Sequence, residues 1–230
     1  MREDWAVLLR QTEAYYTTRV QEHGTTARGV DWNSSESQAL RFQQLLRIVD
    51  DRSHSFTIND LGCGYGALVD YLQTHDYPFS AYVGVDLSAD MIDRARMRHS
   101  RDLSCSFSRS PKVLLPADYT VASGIFNVKL ATPNQEWLAY MLDMIDNMAK
   151  NSTRGFAFNV LTQYADVERM RPNLYYADPG FLFDHCQRHY SRQVAILHDY
   201  GLYEFTVLVR REGESAWRNS SSSVRETSLD

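Results

Sequence analysis

No apolar run in this 230-residue chain approaches the roughly 20 residues a membrane-crossing helix needs, so the sequence predicts no membrane partner. Cysteine is scarce. Cys63, Cys105 and Cys186 are odd in number and widely spaced, which argues against a disulfide framework and against metal-ligand spacing. Reduced thiols in a cytoplasmic protein are the expectation, with no metal. Runs of lysine and arginine are missing too, and the formal charge is −5, so the chain lacks the footprint of a protein that grips nucleic acid. Arg94, Arg96, Arg98 and Arg101 follow one another on a predicted helix and its exit and read as a solvated face. The opening Met-Arg-Glu-Asp-Trp lacks the apolar core of a signal peptide. What is present, 43% hydrophobic and 12% aromatic residues, suits one soluble domain long enough for a sheet covered by helices on both faces.

The most informative stretch is residues 57–71, Thr-Ile-Asn-Asp-Leu-Gly-Cys-Gly-Tyr-Gly-Ala-Leu-Val-Asp-Tyr. Ile58 and Leu61 make a short buried strand. Gly62, Gly64 and Gly66 allow a tight turn and close approach to a ligand, and Leu68, Val69 and Leu72 recur at helical spacing. Such a strand, glycine turn and helix form the nucleotide corner of a doubly wound sheet. The spacing is Gly-x-Gly-x-Gly, not the Gly-x-Gly-x-x-Gly that sets a helix N-terminus against a pyrophosphate. A second apolar run ends at Asp86, where a carboxylate can hold a diol. The plainer alternative is a turn of three glycines followed by Asp86 as a helix cap.

Residues 60–66, Asp-Leu-Gly-Cys-Gly-Tyr-Gly, resemble the first motif of class I S-adenosylmethionine-dependent methyltransferases, and residues 82–88, Tyr-Val-Gly-Val-Asp-Leu-Ser, resemble the second. The resemblance implies a Rossmann-like, mostly parallel seven-stranded α/β sheet with a C-terminal antiparallel hairpin. It also implies S-adenosylmethionine as cofactor, packed on Asp60, Gly62, Cys63, Gly64 and Gly66, with Asp86 on the ribose hydroxyls and Leu87, Met91 and Ser123 nearby. Met91 has core packing as its alternative. Residues 29–42, 175–179 and 198–209 look similar to uncharacterised bacterial methyltransferases.

Taken in order, residues 3–23 predict an N-terminal helix, and Ser34 or Ser35 can cap a second one carrying Leu40, Phe42 and Leu45. In the family this region often closes over the cofactor, so Trp32 is a candidate cover and Arg41 a candidate partner for the cofactor carboxylate; packing and a solvated face are their alternatives. Strands are expected at 81–86, 103–108, 119–123 and 154–160, the third of the sheet lying towards an edge, and no acid after it offers itself to an adenine. Residues 164–178 are too irregular for one long element and read as a lid, a substrate insertion or an ordinary connection. Two β-rich runs around Tyr200 and Gly201 predict an antiparallel pair. The resulting division is residues 1–52 as N-terminal helices and covering loop, 53–211 as the methyltransferase core with an insertion near 161–178, and 212–230 as a disordered tail.

The segment after the fourth strand, Ser123-Gly124-Ile125-Phe126-Asn127, lacks the Asn/Asp-Pro-Pro-aromatic pattern of amino-methylating enzymes that act on nucleobases or protein amides. A small-molecule acceptor is therefore expected, placed beyond the ends of the fourth and fifth strands. Asn127, Asn159, Tyr175 and Asp178 are the candidate catalytic residues; amides and tyrosines would position the acceptor, and Tyr175 or Asp178 would take a proton. Phe126 and Tyr176 are further lining candidates. A non-catalytic cofactor-binding regulatory protein and a dinucleotide oxidoreductase remain as competing classes. Oligomeric state is not legible.

Overall fold

The computed structural model describes residues 5–211. Thirteen regular elements alternate along the chain. They are α1 (Trp5–His23), α2 (Ser35–Leu45), β1 (Phe56–Leu61), α3 (Ala67–Thr74), β2 (Phe79–Asp86), α4 (Ala89–Arg98) and β3 (Cys105–Arg109), then β4 (Ala117–Ala122), α5 (Asn134–Lys150), β5 (Ser152–Leu161), α6 (Pro179–His189), β6 (Gln193–Leu197) and β7 (Glu204–Arg210). One seven-stranded sheet runs β3-β2-β1-β4-β5-β7-β6. Its first five strands are parallel, and β7 slips antiparallel between β5 and β6, as the two C-terminal β-rich runs require.

Alternation along the central strands divides the core in two. Phe156, Phe158, Val160, Val207 and Val209 pack with α1, α5 and α6, whereas Ala157 and Leu208 face the opposite layer with α2, α3 and α4. The strand order reverses between β1 and β4, so the carboxyl ends of β1, β2 and β4 open a crevice where ligands bind in doubly wound sheets. Ser34 caps α2 in a reciprocal box with Ser37, which fixes the direction in which residues 26–33 leave α1 and cross that crevice.

The four parallel strands expected after β1 all shift at their ends, β2 starting at Phe79, β4 spanning Ala117–Ala122 and β5 spanning Ser152–Leu161. β3 starts at Cys105, since Leu103 stands fully exposed beyond the sheet edge. The stretch 162–178 is also more tied down than its sequence suggests. Thr162 bridges to Ala177, Val128 bridges to Leu174, and the Tyr175 amide donates to the Asn127 carbonyl at 2.8 Å, stitching the segment to the loop after β4. The expected disordered tail, residues 212–230, lies outside the described residues.

Candidate functional site

The turn after β1 is built from backbone that only glycine adopts easily. Gly62 and Gly64 have φ of 78° and 54°, and an added Cβ would meet Ile125 Cγ2 at 2.1 Å or Val30 Cγ1 at 2.9 Å. The Gly62 and Cys63 amides both donate to the Val85 carbonyl, at 2.8 and 3.0 Å, so the turn folds back towards the end of β2. There Asp86 accepts from the Gly64 amide through Oδ2 and from the Ser88 amide through Oδ1, each at 2.9 Å. Burial raises the Asp86 pKa while these amides oppose the rise. At the base of the turn Asp60 accepts from the Tyr82 hydroxyl at 2.6 Å, and burial lifts its carboxyl to about 7.

Above this turn lies a cleft of about 920 Å³, measured to include its solvent mouth. Asp60, Gly62, Cys63, Gly64, Asp86, Leu87, Met91 and Ser123 line it, as does Trp32. So do residues that no motif marks: Thr12, Glu13 and Tyr16 of α1, Gln38 and Phe42 of α2, Ser110 and Pro111 just past β3, and Tyr140 of α5. Among the described residues, three acids line the cleft and no lysine or arginine does. Glu13 is neutralised by Arg109 at 2.6 Å, while Asp60 and Asp86 have no cationic partner among the described residues. The Ser123 hydroxyl is buried without a hydrogen-bond partner among the described residues, an unsatisfied group on the cleft wall.

A second, more polar chamber adjoins the first. Its walls come from α1 (Tyr15, Arg19), residues 30–33, Arg41 of α2, the loop after β4 (Asn127, Val128) and the stretch 165–176, including Arg169, Arg171 and Tyr176. Tyr15 and Arg19 both clasp Asp31, at 2.7 and 2.6 Å, and Asp31 holds a left-handed φ of 64° that turns the covering loop over the crevice. Burial and Asp31 push the Tyr15 phenol up to about 12, so it serves as a donor rather than a base.

A family profile described as a methyltransferase domain matches residues 59–151, from β1 through α5. A Mycobacterium tuberculosis protein, provisionally named methyltransferase Rv1506c, is 49% identical over 166 residues, 72% of this chain and 99% of that one. The chain belongs to the methyltransferase family. Among solved structures, the magnesium protoporphyrin IX methyltransferase of Synechocystis, crystallised with S-adenosylmethionine, superposes with a TM-score of 0.61 at 14% identity, covering 89% of this chain and 97% of the other. The N-methyltransferase NodS of Bradyrhizobium japonicum, crystallised with S-adenosylhomocysteine, gives 0.62 at 16% identity over 88% and 99%. At such identities the likeness establishes the class I methyltransferase fold.

Within this methyltransferase several residues singled out by sequence stand elsewhere than expected. Gly66 (φ 83°) begins α3 facing away from the cleft, where a Cβ would strike the His99 ring at 2.9 Å and Phe107 at 3.2 Å. Arg41 is not free to meet a ligand carboxylate, because its Nε donates to buried Glu204 at 2.8 Å and its guanidinium lies on Trp32. Asn159 is fully buried and is used to receive the Gly124 amide at 2.6 Å. Tyr175 and Phe126 pack into the core with α5 and α6. Asp178 caps α6, accepting from the Gly180 and Phe181 amides at 2.8 and 3.3 Å. Asn127 and Tyr176 do line the second chamber, although Asn127 Oδ1 already accepts from the Leu161 amide. Tyrosines and asparagines near strand ends look alike in sequence whether they face a cavity or the core; Asp178-Pro179-Gly180 carried a legible capping signal.

Proposed function

We propose that this methyltransferase binds S-adenosylmethionine in the acid-lined cleft and transfers its methyl group to a small molecule held in the adjoining chamber. The observation that carries the reading is Asp86, a carboxylate fixed by two backbone amides at the end of β2 and facing a cleft that no lysine or arginine among the described residues lines. Such a carboxylate can accept from two ribose hydroxyls, and the uncompensated Asp60 and Asp86 favour a ligand carrying sulfonium and ammonium charge. Gly62 and Gly64 leave room for close approach, Leu87 and Met91 offer an apolar wall, and the Ser123 hydroxyl supplies an unused polar contact. Residues 5–52 act as the cover, contributing Thr12, Tyr16, Val30, Trp32, Gln38 and Phe42 to the cleft.

Bound there, the cofactor supplies an electrophilic methyl carbon. The chain supplies placement and exclusion of water, which account for much of the rate of such in-line transfers. Neither cavity is lined by a histidine among the described residues, and Tyr15 and Tyr16 have phenols pushed up by burial. The chamber thus orients an acceptor by hydrogen-bond donors and charge. The antiparallel β7 and the Gly-x-Gly-x-Gly turn both speak against a dinucleotide oxidoreductase.

Calorimetry with S-adenosylhomocysteine tests the assignment. Asp86→Ala should weaken binding by about 1–3 kcal/mol, the scale for hydrogen bonds to a charged group. Wild-type affinity in that variant would refute the placement. Turnover of any acceptor by the wild type would separate an enzyme from a regulatory cofactor-binding protein.

A further inference from the structure

Tyr16, Val30, Trp32 and Gly124 line both cavities and so form the wall between them. Trp32 is the largest of these, and it is clamped on two sides. A Cβ on Gly124 would lie 2.3 Å from its Cζ2 and 2.4 Å from its Cη2, so the indole is pressed onto bare backbone just past β4. Over the ring, the Arg41 guanidinium carbon sits 3.8 Å from the centroid.

The clamp closes on itself. Arg41 Nε donates to Glu204 Oε2 at 2.8 Å, Glu204 Oε1 accepts from the Asn159 amide and the Tyr200 hydroxyl at 3.5 Å each, and Asn159 Oδ1 accepts from the Gly124 amide at 2.6 Å. Arg41 is 7% exposed and Glu204 1%. Taking such a pair out of water opposes folding, and apolar residues of similar volume would serve packing at least as well. What the pair adds is a guanidinium plane held rigidly against one aromatic ring.

We propose that Trp32 sets the aperture through which the methyl group crosses and so selects acceptors by their width at the reacting atom, with Arg41 and Glu204 as positioning residues that hold the ring. The inference rests on the two-cavity reading above. It differs from a covering role, since a cover closes over the cofactor whereas this ring stands between cofactor and acceptor. A ring held over one face by Arg41 and along its Cζ2–Cη2 edge by Gly124 discriminates by shape; a mobile one would not.

Two thiols serve as probe acceptors, methanethiol as the slim one and 2-naphthalenethiol as the broad one. In each reaction the thiolate sulfur bonds to the methyl carbon of S-adenosylmethionine as the carbon–sulfonium bond breaks, and that electron pair stays on the sulfur of S-adenosylhomocysteine. Rates are compared at saturating cofactor, with binding checked by calorimetry and folding by circular dichroism. Trp32→Ala should raise the broad-to-slim rate ratio by about fivefold or more, Trp32→Phe should fall between it and wild type, and Glu204→Gln should move the ratio the same way through a loosened ring. A ratio unchanged from wild type in Trp32→Ala and Trp32→Phe, or variants that bind cofactor yet methylate neither thiol, would overturn the proposal. Loss of cofactor binding in the wild type would instead overturn the two-cavity reading beneath it.

Discussion

The cleft and the chamber share a wall but are made in opposite ways. Much of the cleft comes from two short runs of chain, residues 60–67 and 86–91, each placed by a parallel strand and its turn, and its charge is acidic. The chamber is assembled from α1, the 30–33 loop, α2, the loop after β4 and the 161–176 stretch, segments scattered along the chain, and it contains Arg19, Arg41, Arg169 and Arg171. A site anchored on two strand-end turns is in that part encoded locally and survives as a motif. A site made by convergence of loops is set by tertiary packing and can change acceptor without disturbing the cofactor.

The largest expected effect breaks the local site alone. Gly64 has φ 54° and faces Val30 Cγ1 and Met91 Sδ, so Gly64→Arg fills the cleft and strains the turn. Affinity for S-adenosylhomocysteine should fall by about 100-fold or more, equivalent to nearly 3 kcal/mol, while the circular dichroism spectrum keeps its α/β form. Retained binding would mean that the glycine turn is only a turn.

The same contrast explains what the sequence could and could not show. The individual strands, the antiparallel hairpin and the place of Asp86 at the end of β2 follow from strand periodicity and a glycine spacing, both of which are local properties of the chain. Ser110 and Pro111, just past β3, stayed hidden because an edge strand with alternating serines hardly signals where it ends. Thr12, Glu13 and Tyr16 lie on a helix whose apolar residues are scattered, and only packing shows that α1 crosses the crevice, with Thr17 meeting the Ser88 hydroxyl at 2.8 Å. Arg41 is the sharpest case, because its partner Glu204 lies 163 residues away and no spacing rule connects them.

A middle-sized effect comes from the acid at the base of the cleft. Asp60 binds its proton up to about pH 7 when folded against an ordinary value of 3.8, because burial disfavours the carboxylate and Asp86 adds repulsion. Across that window the folded state holds more protons than the unfolded one, so this group's contribution to stability falls as pH rises from about 4 to 7. Asp60→Asn keeps an acceptor for Tyr82 but cannot ionise, and urea denaturation at pH 5 and pH 8 should show a smaller loss in the variant than in wild type. A cationic ligand should reverse the preference within the cleft, so wild-type cofactor affinity should be higher at pH 8 than at pH 6, and the gain should vanish in Asp60→Asn. Equal pH dependence in both proteins would remove Asp60 from the account.

The smallest expected effect concerns the chamber arginines. A row of four arginines beside a cleft invites the reading of a nucleic-acid groove, which would reverse the small-molecule assignment. The ion pairs argue otherwise. Arg19 is held by Asp31 at 2.6 Å, Arg41 by Glu204 at 2.8 Å and Arg169 by Asp166 at 3.7 Å, and Glu168 stands on the same wall as Arg171. Nearly every positive charge is thus balanced before a ligand arrives, on a chain of net charge −5. Polyanion binding draws its strength from counterions released by unpaired cations, and affinity then falls steeply with salt. Titration of duplex DNA and of a structured RNA at low salt should therefore give no submicromolar binding and almost no salt dependence. Submicromolar binding that weakens as salt is raised would show that the arginines release their carboxylates to a phosphate backbone, and the chamber would then be a nucleic-acid site instead of a pocket for a small acceptor.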